Sequence, residues 1–267
     1  MSGASPAVGP RSDDGAAARD RVLLLTPTNT YKAEDFLAAA AALQVDVVVG
    51  TDRHQAMASD VPDRTLTLDF RRPEEAAARI VELHARRPIH GIVATDDESV
   101  VLASVAGRRI GLPVNGPDAA RASRDKRGTR ERLAEAGMRV PTWTAVPVAD
   151  GPDVVARAVR YPCVLKPLFL NASRGVLRAN DPGEFTAAFG RIRNLLHRPA
   201  VRKALVEHGD DAARSILVED YLPGVEVSLE GVLVDGDLQP LAMFDKPDTP
   251  EGPTFEETLF VTPSRLA

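Results

Sequence analysis

The sequence has one cysteine in 267 residues, no excess of basic charge and no long apolar run. A lone Cys163 has no partner for an internal disulfide, which suits a reducing compartment. Set inside the apolar stretch Tyr161-Pro162-Cys163-Val164-Leu165, it reads as a buried and inert thiol. The formal net charge of −5 gives no electrostatic reason to expect nucleic acid or an anionic membrane as partner. The arginines are interspersed with acids, as on solvated helix faces. No stretch is apolar enough to span a bilayer, and residues 1–20 lack the apolar core of a signal peptide. A soluble, cytoplasmic protein is the expectation. Short catalytic signatures are also missing. There is no Gly-x-Ser-x-Gly elbow and no Gly-x-x-x-x-Gly-Lys loop, and none of the five histidines pairs with another at a metal-ligand spacing. Hydrolase and P-loop chemistry therefore have nothing to stand on.

What is present begins with alternation. Residues 1–20 are rich in Gly, Ala, Pro, Ser and Asp without hydrophobic periodicity and read as a disordered leader. From Val22-Leu23-Leu24-Leu25 onward, apolar strand runs alternate with helical patterns up to Ile110. Phe36, Ala39, Ala40 and Leu43 repeat at helical spacing, and Pro73 opens a helix expected to turn Ile80, Val81 and His84 inward. Such alternation predicts a Rossmann-like α/β domain over residues 21–115, with a parallel sheet between helices. The first strand is followed by Thr26-Pro27-Thr28-Asn29-Thr30 and not by Gly-x-Gly-x-x-Gly, so the likeness is in layering alone. Further on, helices are predicted over 118–124, 125–136, 153–160, 184–196 and 200–207. Strands are predicted over 161–166, 176–179 and 216–219, and a hairpin over 226–244 around Asp235-Gly236.

Three pieces carry the chemistry, and their order matters more than any one of them. Tyr161-Pro162-Cys163-Val164-Leu165-Lys166-Pro167 closes an apolar strand with a lysine. Asn171-Ala172-Ser173-Arg174-Gly175-Val176 is a glycine-containing loop. Ile216-Leu217-Val218-Glu219-Asp220-Tyr221-Leu222-Pro223-Gly224-Val225-Glu226 is an acidic hinge leading to a new strand. A nucleoside triphosphate needs a fixed cation, backbone N–H groups close to its phosphates, and acceptors for its base and ribose; this set offers them.

With these pieces the chain resembles the ATP-grasp superfamily, and within it the carboxylate–amine ligases related to L-amino-acid ligases and carnosine synthase, more distantly biotin carboxylase. Phe244-Asp245-Lys246-Pro247-Asp248 and the stretch Phe255-Glu256-Glu257 to Leu266 support the narrower likeness. The resemblance implies a pre-ATP-grasp domain over 21–115, linking helices over 116–139, a lid subdomain over 140–217 and the start of a C-terminal subdomain over 218–267. It implies ATP as cofactor, with phosphates between Lys126 and Lys166. Ser173, Arg174 and Gly175 would close over the phosphates. Glu219 and the Asp220–Leu222 backbone, with Tyr221 between, would take adenine, and Glu226 the ribose. Lys126 lies in a helix first turn, where the dipole favours anions, a placement a phosphate partner would explain.

The activity implied is ATP-dependent joining of a small carboxylic acid to an amine through an acyl phosphate. The family's Mg²⁺ ligands lie on a later strand bearing Glu-x-Asn-x-Arg, absent before Ala267, so an incomplete ATP-grasp (α+β) domain is expected, with no metal ligand assigned here. Adjacent Glu256 and Glu257 would point to opposite faces of a strand and could not chelate together. A catalytically incomplete nucleotide-binding module stands as the alternative, as do carboxylase-type and carboxylate–thiol chemistries. An open strand edge beyond the hinge is expected to favour pairing with another chain, hence a homo-oligomer.

Overall fold

The computed structural model describes residues 19–28, 30–53, 64–204, 210–247, 253–255 and 259–266. The leader over 1–18, the helix end at 205–207, and Glu256 and Glu257 lie outside the described residues. The chain divides into two compact units, Met1–Val114 and Asn115–Ala267.

The first unit is built from β1 (Arg21–Leu25), α1 (Ala33–Ala42), β2 (Asp46–Thr51), β3 (Thr65–Thr67), α2 (Pro73–Arg86), β4 (Gly91–Ala94) and α3 (Asp97–Arg109). Its strands are parallel in the order β3-β2-β1-β4. The expected Rossmann-like layering is present. Leu23, Leu24 and Leu25 are all buried, so both faces of β1 are covered, as its unbroken apolar run requires. On α2 the buried stripe is Ala76, Ala77, Ile80 and Leu83. Leu83 thus takes the inward place expected for Val81 and His84. His84 is only partly buried because its Nδ1 accepts the Ile89 N–H at 3.0 Å, capping the turn into β4.

The second unit opens with α4 (Pro117–Arg124) and α5 (Lys126–Glu135), followed by β5 (Trp143–Pro147), α6 (Pro152–Ala156), β6 (Cys163–Pro167), β7 (Leu177–Ala179), α7 (Pro182–Leu196), α8 (Pro199–Ala204), β8 (Ser215–Asp220), β9 (Val227–Val234) and β10 (Asp237–Asp245). Antiparallel pairing orders the sheet β5-β8-β6-β7. α6 is shorter than the predicted 153–160: from Arg157 the backbone tightens to turn-type bonds, the Arg157 N–H donating to the Val154 carbonyl and the Ala158 N–H to the Val155 carbonyl.

Period-two alternation divides the sheet into two faces. Cys163, Leu165, Ile216 and Val218 face the core, where they meet Phe185, Phe189, Ile192 and Leu196 of α7. These four α7 residues recur at helical spacing, which is why that helix lies flat on the sheet. Phe185 stacks on Phe189 at 6.1 Å and meets Tyr161 edge-on at 6.4 Å. Asp181 starts α7 by accepting the Glu184 N–H at 2.9 Å, and Glu184 accepts back from the Asn180 N–H at 2.7 Å.

β9 and β10 form a separate two-stranded sheet turned at Asp235 and Gly236, whose φ values of 51° and 92° suit the mirror-image turn predicted there. Apolar side chains on both strands, among them Leu229, Val232, Leu233 and Leu241, are exposed. Among the described residues no helix is long and apolar enough to cross a membrane.

Phe185→Ala is expected to destabilise the second unit by about 3–5 kcal/mol, through lost burial and a cavity under the sheet. Asp181→Ala, which removes only a helix cap, is expected to cost about 1 kcal/mol. Urea unfolding separates the two, and equal losses would deny that α7 anchors this core.

Candidate functional site

The face of the second sheet opposite α7 carries Val164, Lys166, Leu217 and Glu219. In register, Val164 stands across from Glu219 and Lys166 from Leu217, so Lys166 and Glu219 are diagonal neighbours on one face. They meet there: Lys166 Nζ forms an ion pair with Glu219 Oε2. α5 supplies the second cation. Lys126 and Arg130 lie one turn apart and so share a helix face, and Arg130 Nε donates to Glu219 Oε1 at 2.5 Å. The helix start is fixed by the Lys126 N–H donating to the Leu168 carbonyl at 2.9 Å and by Asp125 accepting the Arg127 N–H at 3.1 Å. Lys126 Nζ donates to the Leu170 carbonyl, holding the ammonium beside the segment that follows β6.

A cavity of about 460 Å³ opens on this face. It brings together seven of the residues singled out from sequence: Lys166, Ser173, Glu219, Asp220, Tyr221, Leu222 and Glu226. Lys126, Arg174 and Gly175 do not line it, although Lys126 is near enough to feel the Lys166 charge. The lining also includes Arg130 and Lys246, with Val164, Val176, Phe255 and Leu259 as apolar walls. Sequence reasoning missed Arg130, whose signal was its spacing of four from Lys126.

The loop expected to close over phosphates is a tight left-handed turn, with φ of 51° at Ala172, 52° at Ser173 and 75° at Gly175. Glycine is required at 175 on two grounds: the positive φ, and a Cβ that would lie 2.9 Å from both Leu195 and Pro167 side-chain atoms. The loop uses the N–H groups of Arg174 and Val176 for its own bonds, to the Asn171 and Ser173 carbonyls.

In the hinge, the Asp220 N–H donates to the Thr142 carbonyl at 2.9 Å and the Tyr221 N–H to the Pro162 carbonyl at 3.1 Å. The Leu222 N–H has no partner among the described residues. Tyr221 is steadied by the Arg178 guanidinium, 4.0 Å from its ring centroid. Asp220 pairs with Arg160 at 2.7 Å and Glu226 with Lys246 at 2.7 Å. Sequence reasoning put the Glu219 carboxylate on the adenine amino group. In the ligand-free structure both its oxygens are paired with cations, Arg130 and Lys166, and 3% of its side chain is exposed.

The electrostatics follow from this packing. Burial alone would raise the Glu219 pKa, but the Arg130 hydrogen bond and the Lys166 charge outweigh it and hold the carboxyl below its ordinary value. Lys126 is lowered to about 8 by burial first and the neighbouring Lys166 charge second. Burial pushes the Cys163 thiol up to about 11, so it stays protonated and unreactive. Asp245 is engaged within its own chain. Its carboxylate accepts from Ser264 Oγ at 2.5 Å and from the Arg265 N–H at 3.0 Å, pinning the segment 259–266 to the end of β10. Among the described residues no group of three or more His, Cys, Asp or Glu is arranged to hold a metal ion.

Residues 159–267 match the ATP-grasp domain family and residues 37–114 the ATP-grasp N-terminal domain. The chain belongs to the ATP-grasp superfamily. It is similar to alanine--anticapsin ligase of Bacillus amyloliquefaciens, 28% identical over 200 residues that make up 72% of this chain and 42% of that protein. Carnosine synthase 1 of Gallus gallus is 30% identical over 207 residues, 74% of this chain and 22% of the relative. A solved L-amino acid ligase from Bacillus licheniformis superposes with a TM-score of 0.74 at 20% identity, over 94% of this chain and 58% of that one, a likeness in fold. The chain therefore spans less than half the length of these two curated relatives.

The Lys126 amine sets a pH dependence. Folding lowers its pKa, so the group opposes folding below pH 8 or so and ceases to as the pH climbs toward its unfolded value. A phosphate beside it would favour the ammonium, so binding takes up a proton and ATP affinity is expected to fall between about pH 7 and about pH 9. Arginine stays charged throughout, so Lys126→Arg should flatten the profile. Calorimetric ATP titrations across that range check this, and an equal slope in both proteins would exclude Lys126 as its source.

Proposed function

We propose that this chain binds ATP in the cavity beside β6 and β8 and serves ATP-dependent ligation of a carboxylic acid to an amine through an acyl phosphate. The observation that carries the reading is the convergence of Lys166, Ser173 and the Glu219–Glu226 hinge on one cavity. Kinship with ligases and synthases that are named for joining amino acids supports the substrate class. On this reading the Leu222 N–H donates to a purine ring nitrogen, because the two preceding hinge N–H groups are committed to strand pairing. Glu226 accepts from the ribose hydroxyls, and Ser173 with its loop donates to the terminal phosphates. Residues 116–139 are the linking helices, 140–217 the lid subdomain and 218–267 the start of the C-terminal subdomain.

In the reaction, a carboxylate oxygen attacks the γ-phosphorus as the bond to ADP breaks. The amine then attacks the acyl carbon, phosphate departs and the amine loses a proton. Lys166 and Lys126 hold and neutralise the transferring phosphoryl, so the contribution of this chain is positioning and charge. Mg²⁺, which the family implies, would neutralise nucleotide phosphates when bound; among the described residues no group of three or more His, Cys, Asp or Glu is arranged to hold it.

Lys166→Ala is expected to weaken ATP binding about 10- to 100-fold, since a charge-assisted bond to phosphate is lost, and to leave adenosine within about twofold. Calorimetry with both ligands tests this; equal losses would make Lys166 a support for folding. Phosphate release with pooled amino acids as acceptors then separates a ligase from a binding module.

A further inference from the structure

We infer that Arg130 is a positioning residue, the counterion that keeps Glu219 paired when Lys166 leaves it for a nucleotide phosphate. The inference deepens the ATP reading above and rests on it. Glu219 has 3% of its side chain exposed, against 22% for Arg130 and 21% for Lys166. Its two oxygens are divided between those cations. The other carboxylates lining the cavity are already matched, Asp220 with Arg160 and Glu226 with Lys246. One buried anion is thus shared by two cations, which leaves one positive charge in surplus on this wall of the cavity.

A triphosphate is the ligand that surplus suits, but it can take Lys166 only if Glu219 is not left bare. A buried carboxylate stripped of its partner costs far more than an exposed one, because nothing replaces its lost hydration. With Lys166 as sole partner, each encounter with phosphate would set two anions competing for one lysine. Arg130 removes the competition. Its guanidinium never deprotonates, and it sits on a helix whose start is held to the Leu168 carbonyl. The charged groups around Glu219 are Lys126 and Arg130 from α5 and Lys166 from β6, while β5 sets the uncharged Trp143 beside it in register.

The test is suppression. ATP and adenosine are titrated calorimetrically into the full chain, Arg130→Met, Glu219→Gln and the double variant. Arg130→Met is expected to lose about tenfold or more in ATP affinity, with adenosine within about twofold. The double variant is expected to recover, because a carboxamide needs no counterion and leaves Lys166 free. Arg130→Gln, which keeps a donor but no charge, should behave as Arg130→Met does and serves if that variant folds poorly. Unchanged ATP affinity in both Arg130 variants, an equal loss for adenosine, or no recovery in the double variant would overturn the inference. An arginine that touched the ligand directly would give the last of these. A parent chain that binds no ATP overturns the nucleotide reading itself, and this one with it.

Discussion

A carboxylate with almost no exposed surface sits where three elements meet, and the cavity of the second unit depends on how its charge is answered. Glu219 draws Arg130 from α5 onto one oxygen and Lys166 from β6 onto the other. Segments that are 89 residues apart in sequence are thereby fixed against one another. A hydrophobic contact would hold them as well, but it would leave no cation facing the cavity. The pairing is a weak argument for stability and a strong one for function, since a buried ion pair roughly breaks even against apolar packing.

The strand faces explain what was legible in the sequence and what was not. Lys166, the 171–176 loop and the hinge are short local patterns, and each could be read where it stood. The first unit was readable for a similar reason: an unbroken run such as Val22–Leu25 is natural for a parallel strand covered on both sides. The partner of Glu219 was not readable. Only the antiparallel register, with Val164 opposite Glu219, makes Glu219 the neighbour of Lys166. Arg130 stayed hidden because an arginine on a charged helix looks like a solvated side chain until the sheet beneath it is known. The predicted inward face of α2 was displaced for a plainer cause, an available leucine one position away from His84.

Asp245 shows how a carboxylate near a cavity can serve the frame around it. Its oxygens accept from Ser264 and Arg265, and the reciprocal backbone bonds between Asp245 and Val261 complete the clasp at 2.9 and 3.0 Å. The clasp holds the segment that carries Leu259 to the cavity wall. A carboxylate's role is decided by who already occupies its lone pairs, and here strap residues occupy them.

The lowered Lys126 has a consequence for covalent chemistry. An ordinary lysine is unprotonated about once in a thousand molecules near pH 7.4, whereas a pKa of about 8 leaves roughly a fifth of the amines neutral. A free amine is a nucleophile, so this fraction is open to an electrophile small enough to reach a half-buried side chain, such as cyanate. A ligand that restores its charge would shield it, making the extent of labelling a direct gauge of site occupancy.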